Sequence, residues 1–325
     1  MKKKNKRAKK QLWLLMFLFV VFLGSVGMIV LGATIFRPQI PIFQLLAQSE
    51  AGGEIVGPKP PANPGVIDFE TQRGMRLYMI LGSDYRPGSG FRTDIIMLVA
   101  VDNRSGQVSM ISFPRDLWVN IPGYGEQRIN TVMQTGGFQL LANTMQTNFG
   151  VYPTHYAMID MPGFLEVIDV LGGIEFETDT FTADSCDSSL NPTRWCEVGP
   201  GTVSLNSEWA LWYVRARYNS SDFDRMRRSQ EVVKAVFDKG LSPTGLVKIP
   251  ELMQIYESEI QSNISPDQLL PMMRLGMSFG NSSEVRRFAI GPNETTGWTT
   301  SGGASVLLPN TTLIQAIIAE ALTFD

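Results

Sequence analysis

Between Arg215 and Arg228 the chain reads RARYNSSDFDRMRR, five arginines in fourteen residues against two acids, Asp222 and Asp224. Guanidinium groups stay charged and grip phosphate oxygens as a bidentate fork, so a cluster this dense points to a phosphorylated ligand. Far upstream, GSD (82–84), RTD (92–94) and FPRD (113–116) supply Asp84, Arg92, Asp94, Arg115 and Asp116. Neighbouring carboxylates repel unless a hard cation lies between them, and Mg²⁺ is typically held by one or two carboxylates plus substrate phosphates. Four or more arginines with two aspartates therefore suit a pyrophosphate and its metal. Ordinary nucleotide sites are excluded, because the chain has neither GxxxxGK[ST] nor a GxGxxG between strand and helix. A hydrolase triad lacks support as well: there is no GxSxG, and the single histidine, His155, reads as structural.

These groups must be brought together by the elements around them. RLYMILG (76–82), DIIMLVAVD (94–102) and QVSMISF (107–113) are nearly continuous apolar runs, the pattern of strands covered on both faces. NRSG (103–106) is a tight turn, so the second and third strands form a hairpin. If the three strands run up, down and up, all three charged triplets fall on one rim. Helical patterns follow at 130–149, 161–171, 206–214 and 224–238, and helices on both faces of a mixed sheet make an α/β fold. Arg215 and Arg217 share a face only if the chain is extended there, so the helix before them must end. In the next helix Met226, Val233, Val236 and Phe237 fall on one side; Arg225 and Arg228 flank it, and Arg227 points away toward solvent.

The first ten residues hold seven of the 28 basic residues, leaving 21 bases against 31 acids in the rest of the chain. That acidic balance argues against a nucleic-acid partner. Trp13 to Phe36 then runs for 24 residues without a charge, longer than the roughly 20 a helix needs to cross a bilayer. The flanking lysines keep the N-terminus in the cytoplasm and export the remainder, which predicts a single-pass cell-membrane protein with its folded part outside. The expected organisation is a basic tail (1–10), a transmembrane helix (11–36), a stalk with six prolines (37–73), a catalytic domain (74–240) and a C-terminal continuation or small accessory region (241–325). Outside the cytoplasm, Cys186 and Cys196 are expected to form a disulfide closing a short loop.

GSDYR (82–86), RTDIIML (92–98), SFPRDLWVNIPGYGEQRIN (112–130), IDVLGGIEF (168–176), LNSEWALWYVRAR (205–217) and DFDRMRRSQ (222–230) resemble, in order, the motifs of the LytR-CpsA-Psr family. The resemblance covers roughly residues 74–240. It implies a three-layer α/β/α sandwich with a central mixed sheet behind one N-terminal span, and an apolar channel for a polyprenyl chain. The implied activity is transfer of a glycopolymer from its polyprenyl-pyrophosphate carrier to peptidoglycan, with Mg²⁺ as cofactor. By motif position, Asp84 and Asp94 look like the metal acids, and Arg92 and Arg115 like catalytic pyrophosphate ligands. Arg215, Arg217, Arg225 and Arg228 look like the rest of the clamp. The general base is left open among the rim carboxylates, with Asp84 the first candidate, and TVMQTGGFQLLANTM and LLPMMRLGM (269–277) are candidate channel linings. A hydrolase of the same lipid and a non-enzymatic envelope regulator are the rival readings. Two departures stand out: Ser229 separates Arg228 from Gln230, and DFD replaces the commoner DFG, adding Asp224.

Overall fold

The computed structural model describes residues 75–269 and 285–324, apart from Pro87, Ser89, Arg104 and Asn219. All of them belong to Lys59–Asp325, the second of two compact units in the chain. The basic tail, the candidate span and the stalk lie outside the described residues. Among the described residues, no helix is long and apolar enough to cross a membrane.

The three apolar runs are strands β1 (Met75–Arg86), β2 (Gly90–Asp102) and β3 (Val108–Ser112). Each is antiparallel to the next, so the charged triplets do share one rim. Two further strands, β4 (Trp118–Ile121) and β5 (Gly125–Arg128), make a small hairpin after the third triplet. Helix α1 (Val132–Phe149) breaks in its first turns at Gly136 and Gly137, the latter at φ 66° and ψ −164°. That is a conformation L side chains rarely adopt, so the glycine pair places the kink.

Strand β6 (His155–Ile159) runs parallel to β1 on the side away from β2. After it come α2 (Met161–Leu171), β7 (Ile174–Thr178), the hairpin of β8 (Thr182–Ser185) and β9 (Trp195–Val198), and β10 (Gly201–Leu205), which pairs with β7. Helices α3 (Ser207–Arg215) and α4 (Asp222–Leu241) follow. Asn206 caps α3 by accepting the Trp209 N–H. At α4 the cap is Ser221, and Asp224 completes a reciprocal capping box. The unusual Asp224 is thus spent on starting the helix.

Residues beyond 240 complete the same sheet. Short helix α5 (Pro243–Leu246) and α6 (Ile249–Glu259) lead into β11 (Ile260–Ser262), which pairs with β6. On the opposite edge β12 (Arg286–Ala289) lies parallel to β3, giving the order β11-β6-β1-β2-β3-β12. The hairpin of β13 (Thr295–Thr299) and β14 (Ser305–Pro309) and helix α7 (Thr311–Leu322) close the fold.

Alternate residues of β1 face opposite layers. Leu77, Met79 and Leu81 join Leu98 and Ile111 against Leu141 and Met145 of α1 and Ile314 and Ile318 of α7. Tyr78, Met97, Val99 and Met110 face the other way, toward Ile264 and Val233 of α4. The result is a mixed sheet between helical layers. A third apolar cluster, around Ile168, Val203, Tyr213 and Val232, joins α2, α3 and α4 to β7 and β10. Burying each large apolar side chain is worth about 1.5–3 kcal/mol, whereas an exposed ion pair adds at most ~1 kcal/mol. The core therefore holds the sheet, and the rim charges contribute little to its stability.

Candidate active site

On the rim, Asp84 of β1 pairs in register with Arg92 of β2. The register then slips between Gly82 and Ser83: Gly82 opposes Ile95 and Ser83 opposes Thr93, leaving Asp94 as the extra residue of a β-bulge. Bulges re-aim side chains at sheet edges. Asp94 Oδ2 accepts from Arg115 Nη1 at 3.1 Å. Arg115 Nε lies 3.4 Å from Asp116, whose other oxygen is 3.2 Å from Arg128 Nε. The loop carrying Arg115 is tied down by its own backbone, since its carbonyl accepts the Asn130 N–H and the Asn130 carbonyl accepts the Thr93 hydroxyl. Burial opposes the charge on Arg115, but Asp94, Asp116 and Asp222 together outweigh it and raise its pKa.

The second set arrives from α3 and α4. Arg215 closes α3, and the extended Ala216 at φ −53° and ψ 138° ends the helix before Arg217. Arg225, in the first turns of α4, is buried and 3.3 Å from Asp222. Burial, and then the nearby Arg115, push its guanidinium below the usual arginine range against the pull of Asp222 and Asp94. A bound anion would relieve that repulsion.

Two cavities meet at this cluster. The larger, of about 830 Å³, is lined at one end by Asp84, Asp94, Arg215, Arg217 and Arg225. Its other walls include Ile95, Ile159, Met161, Phe164, Leu165 and Leu211. The smaller, of about 500 Å³, is lined by Arg92, Arg115, Asp116, Arg128, Asn130, Arg217, Asp222 and Phe223, with Gly297 and residues 305–307. Arg217 lines both. A cavity that joins a largely apolar lining to carboxylates and guanidiniums can take a molecule with a hydrocarbon tail and a phosphorylated head.

The model of the LytR_cpsA_psr family matches residues 58–320. The chain belongs to that family. Regulatory protein MsrR of Staphylococcus aureus (strain COL) is 32% identical over 209 residues, covering 63% of this chain and 61% of that protein. The chain thus spans about three fifths of that relative's length. A polyisoprenyl-teichoic acid–peptidoglycan teichoic acid transferase, TagU of Enterococcus faecalis (strain ATCC 700802 / V583), is 26% identical over 260 residues, 78% of each chain. Among solved structures, B. subtilis TagV superposes with a TM-score of 0.63 at 22% identity, over 78% of this chain and 99% of that one. TagT bound to LI-WTA gives 0.61 at 22% identity, over 80% and 93%. These share the fold, an α/β architecture around a mixed sheet.

Of the residues expected from sequence, this LytR_cpsA_psr chain brings Asp84, Asp94, Arg215, Arg217 and Arg225 to the larger cavity and Arg92, Arg115 and Arg217 to the smaller. Arg228 lines neither. It is 1% exposed, donating from Nε to the Tyr213 carbonyl at 2.9 Å and from Nη2 to the Ala216 carbonyl. It secures the end of α3 instead of facing a ligand. Gln230 is likewise buried, bonded to Ser112 Oγ and the Phe288 carbonyl, and joins α4 to the sheet. Val132, Met133, Leu141 and Met145 of the TVMQTGGFQLLANTM segment are core, not cavity wall. LLPMMRLGM falls, but for Leu269, outside the described residues. Arg128 and Asn130 were not singled out in the sequence; they sit in a hairpin return whose approach to Asp116 only the folded loop reveals.

Arg227 also differs from expectation. Its Nη1 contacts Glu231 Oε1 at 2.5 Å and Thr178 Oγ1 at 3.3 Å, and the 6% exposed Glu231 also accepts from the Tyr213 hydroxyl at 2.8 Å. Removing one partner of a fully buried pair costs about 3–5 kcal/mol. Because water reaches Arg227, Arg227→Ala is expected to lower unfolding free energy by about 2 kcal/mol, read by urea denaturation.

The Cys186–Cys196 disulfide is present and closes the loop between β8 and β9. Just before it, Asp184 accepts the N–H groups of Arg217 at 2.5 Å and Tyr218 at 3.2 Å. Burial would raise the Asp184 pKa, but these bonds and those from Ser185 outweigh it and lower it. The carboxylate thus fixes the backbone of Arg217. Asp184→Ala is expected to cut turnover by about tenfold, in keeping with the cost of small misplacements. A steady-state assay checks this, and an unchanged kcat would refute the positioning role.

Three or more metal-ligating acid, histidine or cysteine side chains do not gather anywhere among the described residues. Asp84 and Asp94 alone suit Mg²⁺, which takes hard oxygen ligands and completes its shell with water and phosphate. They do not suit Zn²⁺, whose structural sites need four protein ligands and whose catalytic sites need three.

Proposed function

We propose that this protein is a membrane-anchored phosphotransferase that moves a glycopolymer from a polyprenyl-pyrophosphate carrier onto peptidoglycan, on the outer side of the cell membrane. The observation that supports this most directly is the larger cavity, whose mainly apolar lining also holds Asp84, Asp94 and three arginines. The prenyl chain occupies the apolar part and the pyrophosphate meets the arginines. An acceptor hydroxyl oxygen forms a bond to the phosphorus that bears the glycan. The bond from that phosphorus to the bridging oxygen breaks, its electron pair leaves with polyprenyl phosphate, and the hydroxyl proton passes to a carboxylate lining the site. The product is a phosphodiester between glycan and acceptor.

Fixed positive charge accounts for most of the catalysis in phosphoryl transfer. Arg115 and Arg225 hold the phosphate oxygens as charge shifts to the leaving group, and Arg217 orients the head group between the two cavities. Mg²⁺, bound by Asp84 and Asp94, would supply further neutralisation of the pyrophosphate. The name of the MsrR relatives favours a regulatory reading, but a regulator has no need of a lipid slot ending in buried arginine.

The test supplies the full chain with a synthetic polyprenyl-pyrophosphate glycan, Mg²⁺ and peptidoglycan. Mass spectrometry should find polyprenyl phosphate together with glycan joined to peptidoglycan through phosphate. Free glycan phosphate with no adduct would make the protein a hydrolase, and an untouched donor would remove the enzyme reading altogether.

A further inference from the structure

The smaller cavity reaches past the arginines to the hairpin of β13 and β14, in a part of the chain without recognisable motifs. This hairpin is fastened to the rim. The Leu307 N–H donates to the Asp116 carbonyl at 3.0 Å, and Arg128 Nη2 donates to the Ser305 carbonyl at 2.6 Å. Since Arg128 also meets Asp116, which meets Arg115, the hairpin belongs to the same charge chain as Asp94.

Its outer strand carries Trp298, 45% exposed and edge-on to Trp118 at 6.4 Å. The Trp118 indole N–H donates to Glu126 at 3.3 Å, which holds that ring in place. Trp298 pairs in register with Val306, a residue of the cavity wall, and its neighbour Gly297 lines the cavity directly. A Cβ built at Gly297 would meet nothing within 4 Å, so the wall there opens onto free space. Deeper in, Asn130 is 3% exposed and its Oδ1 accepts no hydrogen bond from any described residue.

This wall differs in chemistry from that of the larger cavity. Arg115 and Arg217 belong to its junction with the larger cavity, Arg92 and Arg128 add donors, Asn130, Asp116 and Asp222 add acceptors, Phe223, Val306 and Leu307 form an apolar strip, and an aromatic pair stands at its edge. Of the two guanidiniums away from the junction, Arg128 is paired with Asp116, and Asp222 adds a second carboxylate, so this mixed lining suits a polar, uncharged ligand better than a hydrocarbon chain. A pyranose ring satisfies both sides of such a wall, with hydroxyls for the charged groups and an apolar C–H face for an indole. In-line transfer at phosphorus then decides which sugar enters. The attacking and leaving oxygens stand on opposite sides of the phosphorus. With the leaving lipid in the larger cavity, the attacker comes from the smaller one, across Arg217.

We propose that the smaller cavity, with Trp298 at its edge, is the subsite for the acceptor glycan, a pyranose polymer with free hydroxyls. This rests on the transferase reading above. The entering hydroxyl gives its proton to Asp222, which lines the smaller cavity and is more exposed than Asp116; Asp84, in the lining of the larger cavity, serves the metal.

The test uses the full chain, the synthetic lipid-linked donor and a soluble, peptide-free oligomer of N-acetylated sugars as acceptor. Gly297→Leu, which fills the cavity from an exposed strand, and Trp298→Ala are each expected to raise the acceptor KM at least ~10-fold, about 1.4 kcal/mol of lost binding. The donor KM should shift by less than about threefold, well under that difference. A rise in donor KM alone would assign the cavity to the donor's own glycan and overturn the proposal, as would no change in either constant. Calorimetry with the sugar oligomer separates this from the transferase reading. If the wild type transfers nothing yet binds the oligomer, and Gly297→Leu does not bind it, the subsite stands while the enzyme reading falls. Equal binding by wild type and Gly297→Leu overturns the subsite. Thermal melting establishes that each variant is folded, and Gly297→Leu carries the test should Trp298→Ala not be.

Discussion

Arg115→Ala should reduce release of polyprenyl phosphate from a lipid-linked donor by at least ~10³-fold, the scale seen when a preorganised charge at a phosphoryl or oxyanion site is removed. Arg115 lines the smaller cavity and is paired with Asp94, which lines the larger one, so it stands at the junction where the proposed function seats the phosphates. Its removal has two consequences of the same sign. A pyrophosphate held as proposed would lose a donor, and Asp94 would lose its Arg115 partner while Asp116 kept only Arg128, so negative charge there would repel the substrate. Lysine restores the charge without the planar fork, so Arg115→Lys should recover only part of the rate. Assays should be run with the folded state confirmed by melting. Activity within tenfold of wild type in Arg115→Ala would remove this residue from the site.

Arg228→Ala should act on stability before it acts on chemistry. The side chain is almost completely enclosed and saturates the carbonyls of Tyr213 and Ala216 at the end of α3. Truncation takes its donor from the buried Tyr213 carbonyl, at about 1–3 kcal/mol, and leaves the Ala216 carbonyl with only the Ser220 hydroxyl, beside a cavity the size of the lost side chain. The expected loss is about 4 kcal/mol, a large part of a domain's total stability. Denaturant titration reads it directly. Because α3 delivers Arg215 and Arg217, activity should fall too, but together with the folded fraction. A variant with unchanged stability and a pure loss of pyrophosphate binding would return Arg228 to the ligand clamp.

Much of this site was legible in the sequence, for identifiable reasons. The apolar runs of β1, β2 and β3 left little doubt of three paired strands, and alternating direction alone places Asp84, Asp94 and Arg115 on one rim. The two-residue spacing of Arg215 and Arg217 demanded extended chain, and α3 ends at Arg215 accordingly. Where the reading failed, the missing information was what stands opposite. A helical wheel distinguishes Arg227 from Arg228 only by angle. Which of the two meets a buried carboxylate, and which meets the end of another helix, depends on the packing of α3 and β7 against α4. The segment around Gly136 was apolar enough for a lipid channel, yet α7, distant in sequence, covers it.

By itself the sequence determined the inventory and its local grouping: charge type, strand and helix periods, and the disulfide pair. All of these depend on interactions between residues close along the chain, or on residue chemistry alone. Only the tertiary structure decided which arginines face open space and which are consumed by the fold, and that the hairpin after Thr295 reaches the rim. A guanidinium binds a ligand only where the chain leaves its donors unused, and that depends on neighbours supplied by remote segments.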